Sequence, residues 1–273
     1  MAHTDEWTGA LEDVRRTFTA RGRERLGCFS IEGTRLHQRA LRAGVRVETA
    51  LLAADLVDAP SERVRGLLAE LDRSGCRLLR APRSVIDELT RGRSIGAIVG
   101  LVRRPPAPDL KRLLRDAATH PAVLLVALDV DDPGNIGALV RTGLAGGATA
   151  FVGVGCSDPF HPKAVRTSMG SLFKLPLARF ENPRSLFEAL RELDVESVGA
   201  VSSGGEALPC AAFVRPRVAM ILGGEAFGLD RDVIRRLDRR MSIPMSAEVD
   251  SFSVNAAAAI LLYEIRGGRL RTI

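Results

Sequence analysis

The run AVLLVALD at Ala122–Asp129 constrains the fold more than any other segment of the chain. It is almost continuously apolar, which is typical of a strand buried on both faces of a parallel sheet. Three further strand-like runs, TAFVGVG, ESVGAVSS and RVAMILGG, alternate with helical patterns at Pro183–Leu193 and Asp230–Leu237. This alternation predicts an α/β fold with a doubly wound parallel sheet, whose functional loops follow the carboxyl ends of the strands.

The residues before this sheet predict a second, smaller α/β domain. Helical patterns at Thr34–Ala43, Pro60–Asp72 and SVIDELT alternate with the strand-like runs VRVETALLA, CRLLRAP and GAIVGLV. The segment Arg103–Arg112 carries three prolines in four positions, and we place the domain boundary there. We therefore expect an N-terminal tail at 1–14, a small domain at 15–104, a linker at 105–120 and the sheet domain at 121–273.

The net charge of +6 is unevenly distributed. Residues 1–118 hold 22 Lys and Arg against 16 Asp and Glu, whereas residues 119–273 hold 17 of each sign. A basic module beside a neutral one favours contact with a polyanion, because phosphate binding depends on accumulated positive charge. Arginine outnumbers lysine 36 to 3, so a genomic composition bias is the alternative explanation.

Composition also bears on location and on metals. The longest apolar runs fall short of the roughly 20 residues that span a bilayer, and the N-terminus lacks the apolar core of a secretory signal. We therefore expect a cytoplasmic protein. Cysteines 28, 76, 156 and 210 form no C-x-x-C pair, so we expect free thiols and no metal site.

Three short segments carry the candidate chemistry. In the first, DDPGNIGALVRT, Asn135 and Arg141 lie near the start of a predicted helix. Asn135 has an alternative role as a helix cap. A dinucleotide site is disfavoured, because PGNIG supplies only two of the three glycines of that fingerprint.

In the second segment, a strand runs into Gly223, Gly224 and Glu225, followed by Gly228. Such glycines let the backbone approach a ligand closely, although a plain turn with an exposed Glu has the same pattern. In the third segment, Ile243 and Pro244 close a strand, a polar loop follows, and an Ala-rich helix begins near residue 253.

Taken together, the segments resemble the three signature motifs of the SpoU (TrmH) family of RNA ribose methyltransferases over about residues 122–267. Motif one has the form N-x-G-A-x-x-R-T, motif two G-x-E-x-x-G-L, and motif three I-P-M followed by S-L-N-V-S or S-L-S-V-N. The chain departs from these forms at Ala226, Phe252 and Ser253. Motif three consequently leaves Ser253 and Asn255 as two candidates for one polar contact. The matching residues are Asn135, Gly137, Ala138, Arg141, Thr142, Gly223, Glu225, Gly228, Leu229, Ile243, Pro244, Met245, Ser251, Ser253, Val254 and Asn255.

This resemblance implies a SPOUT fold with a deep trefoil knot that forms an S-adenosylmethionine pocket. It also implies a homodimer with the active site at the interface, and transfer of a methyl group to a ribose 2′-hydroxyl of RNA without a metal. The implied catalytic residues are Asn135, Arg141, Glu225, Ser251 and Ser253, with Arg141 acting as base or as orienting group. The implied cofactor-binding residues are Ser202, Ser203, Gly204, Gly223, Ile243, Met245, Phe252 and Asn255.

Residues 15–104 resemble the L30e/L7Ae-like substrate-binding extension found before many members of this family. The stretch HPKAVRTSMGSLFKLPL from His161 is also similar to the family. The residues expected at the RNA are Arg35, Arg91, Lys163, Arg166 and Ser168. A solvated helix face explains Lys163 and Arg166 almost as well.

The leading hypothesis is a methyltransferase acting on RNA, with 23S ribosomal RNA as substrate. Transfer RNA is an alternative substrate. A non-catalytic RNA-binding protein with the same fold is an alternative function, although the intact Asn135, Arg141 and Glu225 argue against it. A nicotinamide-dependent oxidoreductase is disfavoured by the missing glycine fingerprint.

Overall fold

The computed structural model describes residues 6–93, 96–117, 121–207 and 215–266. Contacts divide the chain into two units, one of residues 1–106 with 160–173 and the other of residues 107–159 with 174–273. Cys28, Cys76 and Cys156 are free thiols, whereas Cys210 lies outside the described residues.

The first unit contains a four-stranded mixed sheet. Its strand order is β1-β4-β2-β3, with β2 and β3 parallel and the other pairs antiparallel. The strands are β1 (Cys28–Glu32), β2 (Val47–Ala53), β3 (Arg77–Ala81) and β4 (Ile98–Arg103). The helices are α1 (Glu6–Arg16), α2 (Ala20–Leu26), α3 (Gly33–Arg42), α4 (Ala54–Asp58), α5 (Glu62–Arg73), α6 (Arg83–Thr90) and α9 (Pro162–Thr167), followed by a 3-10 turn at Ser171–Phe173.

The segment expected to be an N-terminal tail instead contributes α1. Ala10, Leu11 and Val14 of this helix are buried and pack against Leu51 and Leu79 of the sheet. Their spacing of three and four residues places them on one helical face, which explains why the helix docks on the core. Residues 1–5 of that segment lie outside the described residues.

Residues 160–173 pack with the first unit although they lie within the predicted sheet domain in sequence. The ring of Phe29 in β1 lies 4.9 Å from that of Phe160 and 6.5 Å from that of Phe173. The guanidinium of Arg104 lies 4.9 Å above the Phe160 ring. These contacts join residues more than 50 positions apart, so local sequence patterns do not predict them.

The second unit confirms the doubly wound parallel sheet. Every strand pair among its described residues is parallel, and the order is β7-β6-β5-β10-β8-β11-β9. The strands are β5 (Ala122–Leu128), β6 (Ala150–Val154), β7 (Leu177–Phe180), β8 (Glu196–Ala200), β9 (Glu206–Ala207), β10 (Arg217–Gly223) and β11 (Arg239–Ser242). The helices are α7 (Leu110–Arg115), α8 (Pro133–Ala145), α10 (Pro183–Glu192), α11 (Arg231–Arg236) and α12 (Val254–Ile265).

Helices cover both faces of this sheet. Leu124 and Val126 of β5 belong to a core with side chains of α7, α10 and α11. Leu125, which points to the opposite face, lies against α8. All seven residues of β5 are buried, as expected for a strand with helices on both sides.

The end of α12 is tied to this core by a buried arginine. Arg266 is 5% exposed and donates hydrogen bonds to the carbonyl oxygens of Pro121 and Gly147. It thereby connects the last helix to the start of β5 and to the turn after α8. No helix of the described residues is long and apolar enough to cross a membrane.

Candidate functional site

A cavity of about 750 Å³ lies in the second unit, at the carboxyl ends of three adjacent strands. β8 ends at Ala200, β10 at Gly223 and β11 at Ser242, and the loops that follow these ends form the walls. This is where a doubly wound sheet binds its ligands, and where the sequence predicted the functional loops. The walls contain the cofactor-binding candidates Ser202, Ser203, Gly204, Gly223, Ile243, Met245 and Phe252 and the catalytic candidates Glu225, Ser251 and Ser253.

The glycines of the second motif fold a tight loop at the edge of this cavity. Gly228 has a φ of +65° and donates a hydrogen bond of 2.9 Å to the carbonyl of Gly224. A Cβ on Gly223 would lie 2.2 Å from the carbonyl carbon of Gly228. A side chain at Gly223 is therefore incompatible with the loop, and the glycine spacing serves the fold of the site.

This loop presents two exposed side chains at the cavity. Glu225 is exposed, and Phe227 is 98% exposed. Both line the cavity. The motif predicted Glu225 as a site residue. It did not predict Phe227, because the motif has no fixed residue type at that position.

In the first motif, the helix cap is Asp132 and not Asn135. The Asp132 carboxylate accepts hydrogen bonds from the backbone N–H groups of Gly134 and Asn135 at 2.5 and 3.1 Å. The side chain of Asn135 is consequently available for another contact. Its Oδ1 accepts a hydrogen bond of 3.2 Å from Nδ2 of Asn255.

The pair Asn135–Asn255 joins motif one to motif three across 120 residues of sequence. Ser253 has a different contact, because its hydroxyl accepts from the backbone N–H of Ala256 at 3.3 Å and caps α12. Of the two candidates left open by the sequence, Asn255 makes the contact between motifs. The Asn255 Oδ1 is buried and has no hydrogen-bond partner among the described residues.

Arg141 lies farther along α8 than Asn135. Six helical residues correspond to a rise of about 9 Å and a rotation of about 240°, so the two side chains leave different faces of the helix. Arg141 is exposed, does not line the cavity, and has no hydrogen bond or ion pair with any described residue. Within one chain, motif one therefore does not bring Arg141 into the cavity wall.

Asp129, which directly follows β5, adjoins the motif-two loop and was not predicted as a site residue from the sequence. It has a φ of +54°, in the left-handed region that Asp tolerates better than most residues. A Cβ on Gly224 would lie 2.3 Å from its carbonyl oxygen. Desolvation raises the pKa of the Asp129 carboxyl, and the negative charges of Asp131 and Asp230 raise it further.

The five residues expected at the RNA all belong to the first unit. Arg166 pairs with Glu32 at 3.0 Å, and desolvation lowers the pKa of its guanidinium. Arg35 and Lys163 are exposed, and Arg91 ends α6 with a φ of 53°. Ser168 is 1% exposed and its hydroxyl donates to the carbonyl of Val165 at 2.8 Å, so we leave it out of the proposed RNA contacts.

The cavity in the second unit fits S-adenosylmethionine. Its volume lies within the range of about 300–1,000 Å³ that is common for small-molecule sites. Apolar side chains of Leu222, Ile243 and Met245 can enclose a planar base, and irregular loop backbone supplies hydrogen-bonding groups. Among the described residues, no group of three or more His, Cys, Asp or Glu side chains is arranged to hold a metal ion.

Comparisons with known proteins agree on one family. The model of the SpoU rRNA Methylase family matches residues 122–263. The 23S rRNA (guanosine(2553)-2'-O)-methyltransferase RlmP of Bacillus subtilis is 29% identical over 94% of this chain and 96% of its own. The 23S rRNA (guanosine-2'-O-)-methyltransferase RlmB of Xylella fastidiosa is 36% identical over 77% of this chain and 86% of its own.

Solved structures agree with this result. The AdoMet-bound rRNA methyltransferase from Sinorhizobium meliloti superposes with a TM-score of 0.82 at 26% identity and covers 98% of both chains. Its cofactor is the one that the cavity fits. With the family model matching about half of its residues and a 36% identical relative aligned over more than three quarters of it, the chain belongs to the SpoU rRNA Methylase family.

Proposed function

We propose that this protein transfers a methyl group from S-adenosylmethionine to a ribose 2′-hydroxyl of RNA, and that 23S ribosomal RNA is the substrate. One observation carries the proposal. The cavity at the strand ends is lined by motifs two and three, and the Asn135–Asn255 hydrogen bond attaches motif one to the same region. The names of the relatives from Bacillus and Xylella support the choice of RNA, and a ribosomal substrate implies a cytoplasmic location.

The bound cofactor would supply an electrophilic methyl group on a sulfonium. The loop at Ser202–Gly204, together with Gly223, Ile243, Met245 and Phe252, would bind it, because these residues line one cavity. Asn255 would act indirectly by holding Asn135. Catalysis of such a displacement depends mainly on orientation and proton removal. Orienting the 2′-hydroxyl and assisting removal of its proton would therefore be the role of the residues that contact the RNA.

We assign Asn135, Glu225 and Ser251 to orienting the ribose and its 2′-hydroxyl. Arg141 has an exposed guanidinium, whose planar set of donors suits a phosphate, and we assign it to holding the adjacent phosphate and aligning the hydroxyl. Ser253 is the N-cap of α12 and would act by positioning the loop that carries Ser251.

The active form is a homodimer in this proposal. The helix α12 buries Ala258, Leu261 and Leu262, yet Tyr263 on another face is 64% exposed and Glu264 is its only charged residue. A helix that is apolar on all sides is normally buried on all sides. A second copy packed on the exposed face would cover it and could place Arg141 at a site that one chain leaves incomplete.

The deep trefoil knot of this family belongs to the proposal as well. The segments that would form it are the loops after β10 and β11, which line the cavity together with the start of α12. A knotted backbone would hold these loops without a metal or a disulfide.

Transfer of tritium from labelled cofactor to purified RNA tests the proposal. We expect label in 23S ribosomal RNA from cells that lack the protein, and none in transfer RNA. Label in transfer RNA alone would identify transfer RNA, and not 23S ribosomal RNA, as the substrate. Cofactor binding without transfer to either RNA would support the non-catalytic alternative.

A further inference from the structure

The first unit has a cavity of its own, of about 530 Å³. It lies where the end of β1, the first turns of α3, the start of α5 and the segment around α9 meet. Four arginines are among its walls, which are formed by Glu32, Thr34, Arg35, Leu36, Arg39, Arg63, Gly96, Arg166 and Met169. We call this cavity the arginine pocket.

The arginine pocket has more positive charge than its one carboxylate can neutralise. The side chain of Glu32 is 4% exposed, and its two oxygens accept from Arg93 at 2.7 Å and from Arg166 at 3.0 Å. Both oxygens are therefore engaged by those two guanidinium groups. Arg35, Arg39 and Arg63 are left without a carboxylate partner among the described residues.

Two of these three arginines are held by neutral acceptors. Arg39 donates to the carbonyl oxygen of Met169, and Arg63 donates to Oε1 of Gln38 at 2.5 Å. Neutral acceptors fix the side chains without cancelling their charge. Arg35 has no hydrogen bond or ion pair with any described residue, so all its donors are available to a ligand.

The backbone around the arginine pocket is closely packed. Gly170 has a φ of +83°, and a Cβ there would lie 2.8 Å from Cδ of Arg39. Gly96 has a φ of +100°, and a Cβ there would lie 3.0 Å from the methyl group of Thr34. The contact with Gly170 restricts Arg39 before a ligand arrives, which reduces the entropy lost on binding.

We propose that the arginine pocket binds one nucleotide of single-stranded RNA, with the phosphate on Arg35, Arg39 and Arg63. Guanidinium groups match phosphate oxygens in pairs, and unstacked bases of single-stranded RNA stack on arginine planes and apolar side chains. Leu36 and Met169 supply the apolar surface for the sugar and base. The choice of RNA over a free nucleotide rests on the proposed function.

This assignment gives residues 160–173 a role in RNA binding. Arg166 and Met169 come from that segment, whereas the other walls come from the first hundred residues. The arginine pocket is therefore complete only when the segment packs on the first unit.

Fluorescence anisotropy with a labelled single-stranded RNA of 12 nucleotides tests the proposal on the full chain. The test variant is Arg35→Ala with Arg63→Ala, and the matched control is Arg73→Ala with Arg77→Ala. Each double variant removes two exposed arginines. Arg63 and Arg73 lie at opposite ends of the same helix, α5. We expect about tenfold weaker binding for the test variant and a change within twofold for the control. The slope of log affinity against log salt concentration should become shallower by the equivalent of about one phosphate contact in the test variant only.

Equal losses in both variants would overturn the proposal, because they would reflect net charge alone. No loss in either would overturn it as well. The double variant Arg35→Lys with Arg63→Lys keeps the charge and should recover only part of the affinity, since lysine cannot pair with phosphate in two places. Thermal unfolding of each variant checks that the first unit remains folded.

Titration with adenosine 5′-monophosphate separates the two sources of phosphate. If the mononucleotide binds the wild type and not the test variant while RNA affinity is unchanged, the arginine pocket serves a free nucleotide and the proposal is wrong. Methyl transfer is measured on the same preparations. If the wild type methylates RNA and the test variant keeps full RNA affinity, the proposal for the arginine pocket is wrong and the proposed function stands. If RNA binds through the arginine pocket but no methyl group is transferred, the proposed function is wrong and the proposal for the arginine pocket stands.

Discussion

At the scale of residues, the site depends on polar side chains whose local roles differ from those that the sequence suggests. Asp132 caps α8, which releases Asn135 to bond with Asn255. Ser253 caps α12. Sequence spacing identified the motif residues, but the contact of Asn135 depends on Asn255, 120 positions away, which only the folded chain brings near.

Arg141→Ala is expected to reduce methyl transfer at least a hundredfold and to leave S-adenosylmethionine affinity within twofold. The guanidinium is exposed and lies outside the cavity wall, so its loss should affect the RNA and not the cofactor. Single-turnover transfer and equilibrium cofactor binding measure the two effects. Arg191→Ala, another exposed arginine on a helix of the same unit, is the control and should behave as wild type. A near-normal rate for Arg141→Ala would remove this residue from the mechanism.

His37 is expected to make the first unit sensitive to acid. Its ring is fully buried, Nδ1–H donates to the carbonyl of Gly33 at 2.8 Å, and burial lowers its pKa to about 4. Below about pH 6.5 the imidazole of His37 binds a proton in the unfolded chain but stays neutral in the folded chain. The free energy of unfolding therefore falls as the pH drops from about 6.5 towards 4.

The expected loss from this residue is about 2–3 kcal/mol between about pH 7 and pH 4.5. Urea unfolding at both pH values, for the wild type and for His37→Leu, measures it. The variant should lack this part of the pH dependence whatever its stability at neutral pH. Equal pH dependence in the two proteins would show that His37 does not titrate as its burial requires.

At the scale of elements, strand ends and tight loops determine where the site forms. β8, β10 and β11 end beside one another, and the motif-two loop closes through the Gly224–Gly228 bridge. Long buried strands such as β5 were predictable because helices on both faces require continuous apolar runs. β7 and β9 have four and two residues, too few for a periodic pattern, and they were not predicted.

Gly223→Ala is expected to weaken cofactor binding at least tenfold. The added Cβ would lie 2.2 Å from the Gly228 carbonyl carbon, so the motif-two loop must open. Calorimetric titration with S-adenosylmethionine measures the effect. Gly66→Ala is the control, because a Cβ there meets no atom within 4 Å, and a helical Gly→Ala change should stabilise the fold by up to about 1 kcal/mol. Unchanged cofactor affinity in Gly223→Ala would show that this loop does not bind the cofactor.

At the scale of the whole molecule, the chain combines a basic first unit with a second unit that holds the cavity lined by motifs two and three. The charge count favours a polyanion partner for the first unit, which stays a prediction, and the motifs predicted loops that line the cavity of the second. The packing of residues 160–173 on the first unit was not predictable, because it depends on contacts of Phe29 with distant aromatic residues. The sequence predicted Arg35 and Arg166 as RNA contacts but not the arginine pocket, which joins residues of the first hundred positions to the distant segment 160–173.

The molecule is expected to sediment as a dimer, at twice the chain mass of 29.4 kDa. Tyr263→Asp with Ala259→Asp should produce monomers and strongly reduce methyl transfer, because charges would be placed on the exposed apolar face of α12. Analytical ultracentrifugation and transfer assays on the same samples measure both. A wild-type monomer that methylates RNA at full rate would contradict the proposed dimer.

The most direct measurement is mass spectrometry of nucleosides from 23S ribosomal RNA incubated with the protein and S-adenosylmethionine. We predict one additional 2′-O-methylated nucleoside, present with the wild type and absent with Arg141→Ala. Methyl groups found only on bases, or no methylated nucleoside in an RNA that the protein binds, would contradict it.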